Sequence, residues 1–241
     1  HVFAQDKLTY QRFKKLGLCS SRLTQTENLK KFRALPIVEK NYVKKINKSF
    51  AYGNTICIAS SHPGEEILIL DAFKLALQEY PDLKMIIVPR HPKRMQEIIN
   101  LIKEYDFKYS VRSKNEFPSI NDQIYLADTI GELPLWYSSC STTFVAGSLL
   151  PIGGHTPFEP AYYSSTIIHG KHFSNFHDIY TQLDNNNGAI KAIDPLQISN
   201  AWEKLRNNEF RKKTLSNAQK ILFSGSQKEE LIATILRKFE T

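Results

Sequence analysis

From residue 54 onward short apolar runs alternate with helix-like stretches, and this alternation limits what the chain can fold into more than any other feature. The runs include "TICIAS", "LKMIIVP", "KYSVRS", "QIYLADT", "TTFVAGS", "TIIHG" and "AIKAI". Segments such as "PGEEILILDAFKLALQEY" and "PKRMQEIINLIKEYD" separate them. Strands without polar alternation are covered on both faces, and helices between them supply the cover. The pattern predicts an α/β fold, a Rossmann-like doubly wound parallel sheet. Sheets of this kind bind ligands beyond the carboxyl ends of their strands.

Residues 1–50 read differently. "QDKLTYQRFKKLGL" predicts a short helix stopped by Gly17, and "KKFRALPIVEKNYVKKINKSF" is Lys-rich and weakly periodic, as a solvated connector would be. The expected organisation is a junction segment over 1–50, a ligand-binding domain over 51–225 and a terminal helix over 226–241.

The net charge of +8 suggests an anionic partner: a nucleotide phosphate, a nucleic acid or an acidic membrane surface. No RNP, KH or helix-turn-helix pattern accompanies that charge, so a nucleic-acid partner is not expected. Cys19, Cys57 and Cys140 are far apart and form no CxxC pair, which argues against a disulfide framework or a zinc site and fits a reducing compartment. No apolar run is long enough to span a bilayer. The polar first residues contain no signal-peptide core, and without an initiator Met the chain is expected to begin inside a longer protein.

Four strand ends carry unusual chemistry. In "SSHPGEE", Pro63 suits the first helical position, and Glu65 and Glu66 suit a helix's positive end. That leaves Ser60, Ser61 and His62 as candidate ligand donors. In "PRHP", Arg90 follows a strand where it can hold an anion on two prongs or make a structural salt bridge. In "DTIGEL", Thr129 and Glu132 have capping-box spacing, which leaves the Ile130–Gly131 backbone exposed at a helix start. In "GSLLPIGGHTPFEPA", Thr156, Pro157 and Glu159 again spell a helix start. Gly153 and Gly154 just before it suggest a place where an anion approaches the backbone.

Taken in order, "ASSHPGEE", "VPRHP", "LADTIGELPLWY", "FVAGSLLPIGGHTPFEPA" and "NFHDI" resemble the C-terminal half of the bacterial Kdo (3-deoxy-D-manno-octulosonic acid) transferases, over residues 1 to about 190. The resemblance implies a GT-B glycosyltransferase, two Rossmann-like halves with this one holding the nucleotide, that moves Kdo from CMP-Kdo to a lipid A precursor in lipopolysaccharide synthesis. It implies that Pro89 and Arg90 contact CMP, with Arg90 on the phosphate. Ile130, Gly131 and Glu132 would line the nucleotide site, and Thr156, Pro157, Phe158 and Glu159 would meet ribose and phosphate, with Glu159 on the ribose. Ser60, His62, Gly147, Ser148, Gly153 and Gly154 follow as secondary candidates. Thr156 stands where the family commonly has Asn, and Ile130 where it commonly has Met. The family's general base, membrane anchor and most of its acceptor site lie in an N-terminal half that this chain lacks. The resemblance therefore places no catalytic residue here, predicts that the chain alone is inert, and puts it at the cytoplasmic face of the inner membrane. No metal or cofactor is expected, since the strand ends carry no DxD-type pair. Two other readings stay open: another GT-B-like nucleotide-sugar enzyme such as a 2-epimerase, or a non-catalytic nucleotide-binding module.

Overall fold

The protein is described by a computed structural model covering residues 1–26, 28–224 and 228–237. The first strand, β1 (Val2–Ala4), pairs in parallel with β2 (Leu23–Gln25), and α1 (Lys7–Lys15) connects them. Asp6 caps α1 by accepting the Thr9 N–H at 2.6 Å, and Gly17 ends the segment at φ +88°. Then come α2 (Lys40–Asn47), β3 (Thr55–Ser61), α3 (Glu65–Glu79), β4 (Lys84–Pro89), α4 (Met95–Glu104), β5 (Tyr109–Val111), β6 (Ile124–Leu126) and α5 (Leu133–Ser139). The chain continues through β7 (Thr142–Val145), α6 (Phe158–Tyr162), β8 (Thr166–His169), α7 (His177–Asn185), β9 (Ala189–Lys191), α8 (Pro195–Arg206), α9 (Asn208–Phe223) and α10 (Lys228–Leu236). The expected terminal helix is α10 as far as it is described; residues 226, 227 and 238–241 lie outside the described residues.

β3 to β9 form one parallel sheet of seven strands in the order β5-β6-β4-β3-β7-β8-β9. Alternate residues of one strand serve opposite layers, because side chains point to opposite faces with a period of two. Ile56 and Ile58 of β3 join Ile69, Phe73, Ile98 and Trp202 on one face. Cys57 and Ala59 join Phe50, Tyr125, Trp136 and Tyr137 on the other. Both faces are thus dry, which is why the strands read as continuous apolar runs. Burying each large side chain contributes about 1.5–3 kcal/mol. Cys57 and Cys140 are part of this core, and burial together with the contact to Cys57 pushes the Cys140 thiol well up.

The chain leaves β3 toward β4 on one side, and later places β7 on the other. The switch point of the sheet is therefore the gap between the carboxyl ends of β3 and β7, where a doubly wound sheet opens a crevice. The four segments singled out by sequence follow β6, β4, β3 and β7, which are consecutive neighbours, so they lie side by side along one edge.

Candidate functional site

The edge is organised by Glu65. Pro63 does not take the first helical position; it forms a turn with Gly64, which sits at the N-cap of α3 with φ +89°. Glu65 becomes the first residue of α3, and its fully buried carboxylate does more than face a dipole. Its Oε2 accepts the N–H groups of His62 (3.1 Å) and Gly147 (2.7 Å), and its Oε1 those of Ser148 (3.0 Å) and Leu149 (2.9 Å). One carboxylate thus fills a nest of backbone donors and ties the end of β3 to the turn after β7. An external anion cannot use those N–H groups. Ser148 is equally committed: its hydroxyl donates to Val145 O at 2.6 Å and accepts the Gly170 N–H at 2.8 Å.

Glu66, also buried, turns away from the edge. It meets Arg94 at 2.7 Å, and Arg94 also pairs with Glu97. Helix-end chemistry, the expectation for both acids, therefore misses the main role of each.

β3 ends irregularly. Its pairing with β4 shifts between Ala59 and Ser61, and Ser60 adopts φ +61°, a left-handed conformation that costs about 1–3 kcal/mol for a residue with a side chain. Next to it, the buried Ser61 hydroxyl has no partner among the described residues. His62 then meets His155, Nε2 to Nε2 at 2.9 Å, with rings stacked 5.1 Å apart. Burial holds His62 below its ordinary range, against the pull of Glu65. Arg90, following the buried Pro89, donates its backbone N–H to Ser61 O at 3.0 Å. Its side chain is exposed and takes no partner among the described residues, so the structural salt bridge is not formed. That leaves a cation at the end of β4 beside the switch point.

Neither expected capping box forms. Glu132 occupies the N-cap of α5, but its carboxylate is held by Arg112, 2.7 Å from Nη2 and 3.0 Å from Nε, and it also accepts from the Thr129 hydroxyl. That ion pair holds the Glu132 carboxyl below the usual carboxylate range. Ile130 and Gly131 stand exposed beside it, Gly131 at φ +87° with open space where a Cβ would lie. At the other segment α6 begins only at Phe158, with Pro157 at the N-cap. Thr156 Oγ1 accepts the Phe158 N–H at a long 3.4 Å, and Glu159 pairs with Arg33 at 3.3 Å. In both places a distant arginine takes the acid that local spacing assigns to a cap.

The glycines before α6 have an internal explanation. A Cβ at Gly153 (φ +105°) would sit 2.7 Å from Asn175 Nδ2, and one at Gly154 3.1 Å from His172 O. Asn175 also donates its backbone N–H to Gly153 O (2.9 Å) and its amide to Gly154 O (3.2 Å). At both glycines the chain itself makes a close approach, through Asn175 and the His172–Phe173 backbone.

Arg12, Arg33, Ile37 and their neighbours in the described part of the first segment wall the edge. Clefts open between Arg12 and His155–Thr156, between Arg33 and Glu159, and between Ile37 and Gly131–Glu132. The first and last hold about 390 Å³ each, within the range of small-molecule sites. Sequence reading missed Arg33, Arg112 and Asn175 and gave Glu65 only a helix-end role; their partners lie far along the chain. His155 was visible inside "GGHTP" and was passed over.

No family model matches the sequence. A crystal structure of the C-terminal CMP-Kdo binding domain of WaaA from Acinetobacter baumannii superposes with a TM-score of 0.71 at 30% identity, covering 77% of this chain and all of that domain. The chain belongs to the Kdo transferase family. The 3-deoxy-D-manno-octulosonic acid transferase of Haemophilus influenzae is 33% identical over 219 residues, 90% of this chain and 51% of the relative. The chain thus spans about half the length of the curated Kdo transferases it matches. Anabaena Alr3699/HepE, solved with UDP and glucose, matches with a TM-score of 0.62 over the whole chain and 62% of its own, but at 14% identity it shares the fold alone. That fold is the C-terminal Rossmann-like domain of a GT-B glycosyltransferase. Among the described residues no helix is long and apolar enough to cross a membrane.

Proposed function

We propose that this chain binds CMP-Kdo along the carboxyl edge of its sheet and serves as the donor half of an enzyme that transfers Kdo to a lipid A precursor in lipopolysaccharide synthesis. One observation carries the proposal: the chain covers a whole CMP-Kdo binding domain at 30% identity. The edge chemistry supports it. Pro89 and Arg90 hold the phosphate, since an unpaired guanidinium gives a two-pronged, charge-assisted contact. Ile130 and Gly131 line the nucleotide through exposed backbone, and Glu132 shapes that wall while tied to Arg112. Thr156, Pro157, Phe158 and Glu159 face the ribose. Thr156 offers one polar atom fewer than the family's Asn, and a backbone contact at Ile130 is indifferent to the change from Met.

Sugar transfer also needs a base for the acceptor hydroxyl. Every acid named at this edge is engaged: Glu65 by backbone N–H groups, Glu132 by Arg112, Glu159 by Arg33. As the resemblance implies, the base belongs to an N-terminal half, to which residues 1–50 form the junction and toward which α10 crosses back from the donor domain at 51–225. The complete enzyme works at the cytoplasmic face of the inner membrane, where its lipid acceptor lies. Calorimetric titration tests the donor assignment: CMP should bind at least tenfold more tightly than UDP. Equal affinity, or no CMP binding, overturns it. Kdo transfer by the purified chain alone would overturn the assignment of the base to the other half.

A further inference from the structure

We infer that Arg33, reaching in from the first segment, is the positioning residue that makes Glu159 a reader of the ribose hydroxyls. The inference rests on the donor-site reading above and adds to it the residue that orients the ribose partner. Arg33 stands 126 residues from Glu159 and donates from Nη1 to its Oε1 at 3.3 Å. The other carboxylate oxygen, Oε2, takes no hydrogen bond among the described residues. One oxygen is thus anchored and the other is left to accept. An ionised oxygen accepts a hydroxyl proton in a short, charge-assisted bond. Arg33 stays on Oε1 while a ribose hydroxyl takes Oε2, so the two do not compete.

The pair lines a cleft of about 240 Å³ whose walls include Thr156 and Phe158, which also face the ribose in the donor-site reading. Glu159 is 18% exposed there and Arg33 68%. An ion pair so open to solvent contributes little to stability. The fold does not depend on it as a tether either. The Tyr163 hydroxyl donates to Pro36 O at 2.7 Å and pins the same stretch of chain one turn beyond Glu159. Lys31, another cation of the cleft, donates to Ser224 O. What is left to Arg33 is to restrict the Glu159 carboxylate. A long side chain loses rotamer freedom when it orders on a ligand, and a contact made beforehand lowers that cost.

The consequence is a preference for ribose over a sugar without its hydroxyls, set by a residue that touches neither hydroxyl. The test titrates CMP and its dideoxy analogue, which lacks both ribose hydroxyls, into the wild-type chain, Arg33→Gln, Glu159→Gln and the double variant. The unfolding midpoint of each protein is measured alongside. Both ligands carry the phosphate, so the general loss of a positive charge cancels in the ratio of their affinities. The wild type should prefer CMP. Arg33→Gln should cut the ratio by about threefold or more, the cost of ordering one long side chain, with the midpoint unchanged. Because Arg33 acts through Glu159, adding Arg33→Gln to Glu159→Gln should lower the ratio no further.

A folded Arg33→Gln protein with the wild-type ratio overturns the inference, since a role confined to anchoring the segment predicts that result. Tighter CMP binding by Arg33→Gln overturns it as well, because Arg33 would then compete with the ribose. A further fall of the ratio in the double variant does the same. If the wild type fails to bind CMP at all, the donor-site reading falls and this inference with it; intact CMP binding with an unchanged ratio removes this inference alone.

Discussion

The carboxyl edge of the sheet and the α3–α4 layer beside it start from consecutive residues and follow different rules. Glu66 belongs to the layer. Its charge is cancelled by Arg94, which has Glu97 as a second partner. Glu65 belongs to the edge. Its charge is spread over backbone donors from two separate strand ends, which fixes the turn after β7. The layer satisfies its polar groups among themselves. The edge retains strained backbone at Ser60 and, among the described residues, a Ser61 hydroxyl and an Arg90 guanidinium without partners. Departures from local consistency that gather in one place mark where a fold has been shaped for binding.

Substitutions can separate the two regions. The largest effect is expected from Glu66→Ala, which leaves the buried Arg94 with the exposed Glu97 as its remaining partner and should cost about 3 kcal/mol of unfolding free energy. CMP affinity of the folded protein should stay at the wild-type value. A large loss of affinity would show that the layer and the edge are not independent. Glu65→Gln should do the reverse in emphasis. Its amide places N–H groups against N–H groups and should cost about 1–3 kcal/mol of stability, but it should also weaken CMP at least tenfold as the turn after β7 loosens. A Glu65→Gln protein with full CMP affinity would make Glu65 another scaffold residue.

Glu159→Gln should leave stability within about 0.5 kcal/mol, because no helix cap depends on it, and should weaken CMP by roughly 0.5–1.5 kcal/mol if it meets ribose. Wild-type affinity would remove Glu159 from the site. The smallest effect concerns acid. Arg112 holds the folded Glu132 carboxyl below its ordinary value, so the stability from this pair is fully present above the unfolded value of about 4.3 and is lost as pH falls through the lower folded value. For a partly exposed pair this is at most about 1 kcal/mol. Unfolding curves between pH 3 and pH 5, taken as about one unit either side of that value, should therefore be flatter for Glu132→Gln than for wild type. Parallel curves would contradict the pairing.

The difference between the two regions also explains what the sequence made legible. The sheet was readable because continuous apolar runs have one economical arrangement, and the edge was readable because four odd segments each followed such a run. The side-chain partners at that edge were not. Thr129 with Glu132 and Thr156 with Glu159 have the spacing of a cap, but Arg112 and Arg33 reach those acids through tertiary structure, from twenty residues away and from 126. Gly153 and Gly154 announced a close approach without saying what approaches; Asn175, in "NFHDI", does. Pro63 and Glu65 matched a helix start, and the turn at Gly64 moved that start by two residues and freed Glu65 to reach across to β7.

The central claim, that the edge is a CMP-sugar donor site centred on Arg90, is tested most directly by calorimetric titration of CMP into the wild-type chain and Arg90→Ala, with the unfolding midpoint of each protein measured alongside. A charge-assisted phosphate contact contributes roughly 1.5–3 kcal/mol. The wild type should therefore bind CMP, and the variant should bind it at least tenfold more weakly with an unchanged midpoint. A folded Arg90→Ala protein that binds CMP as tightly as wild type would contradict the claim.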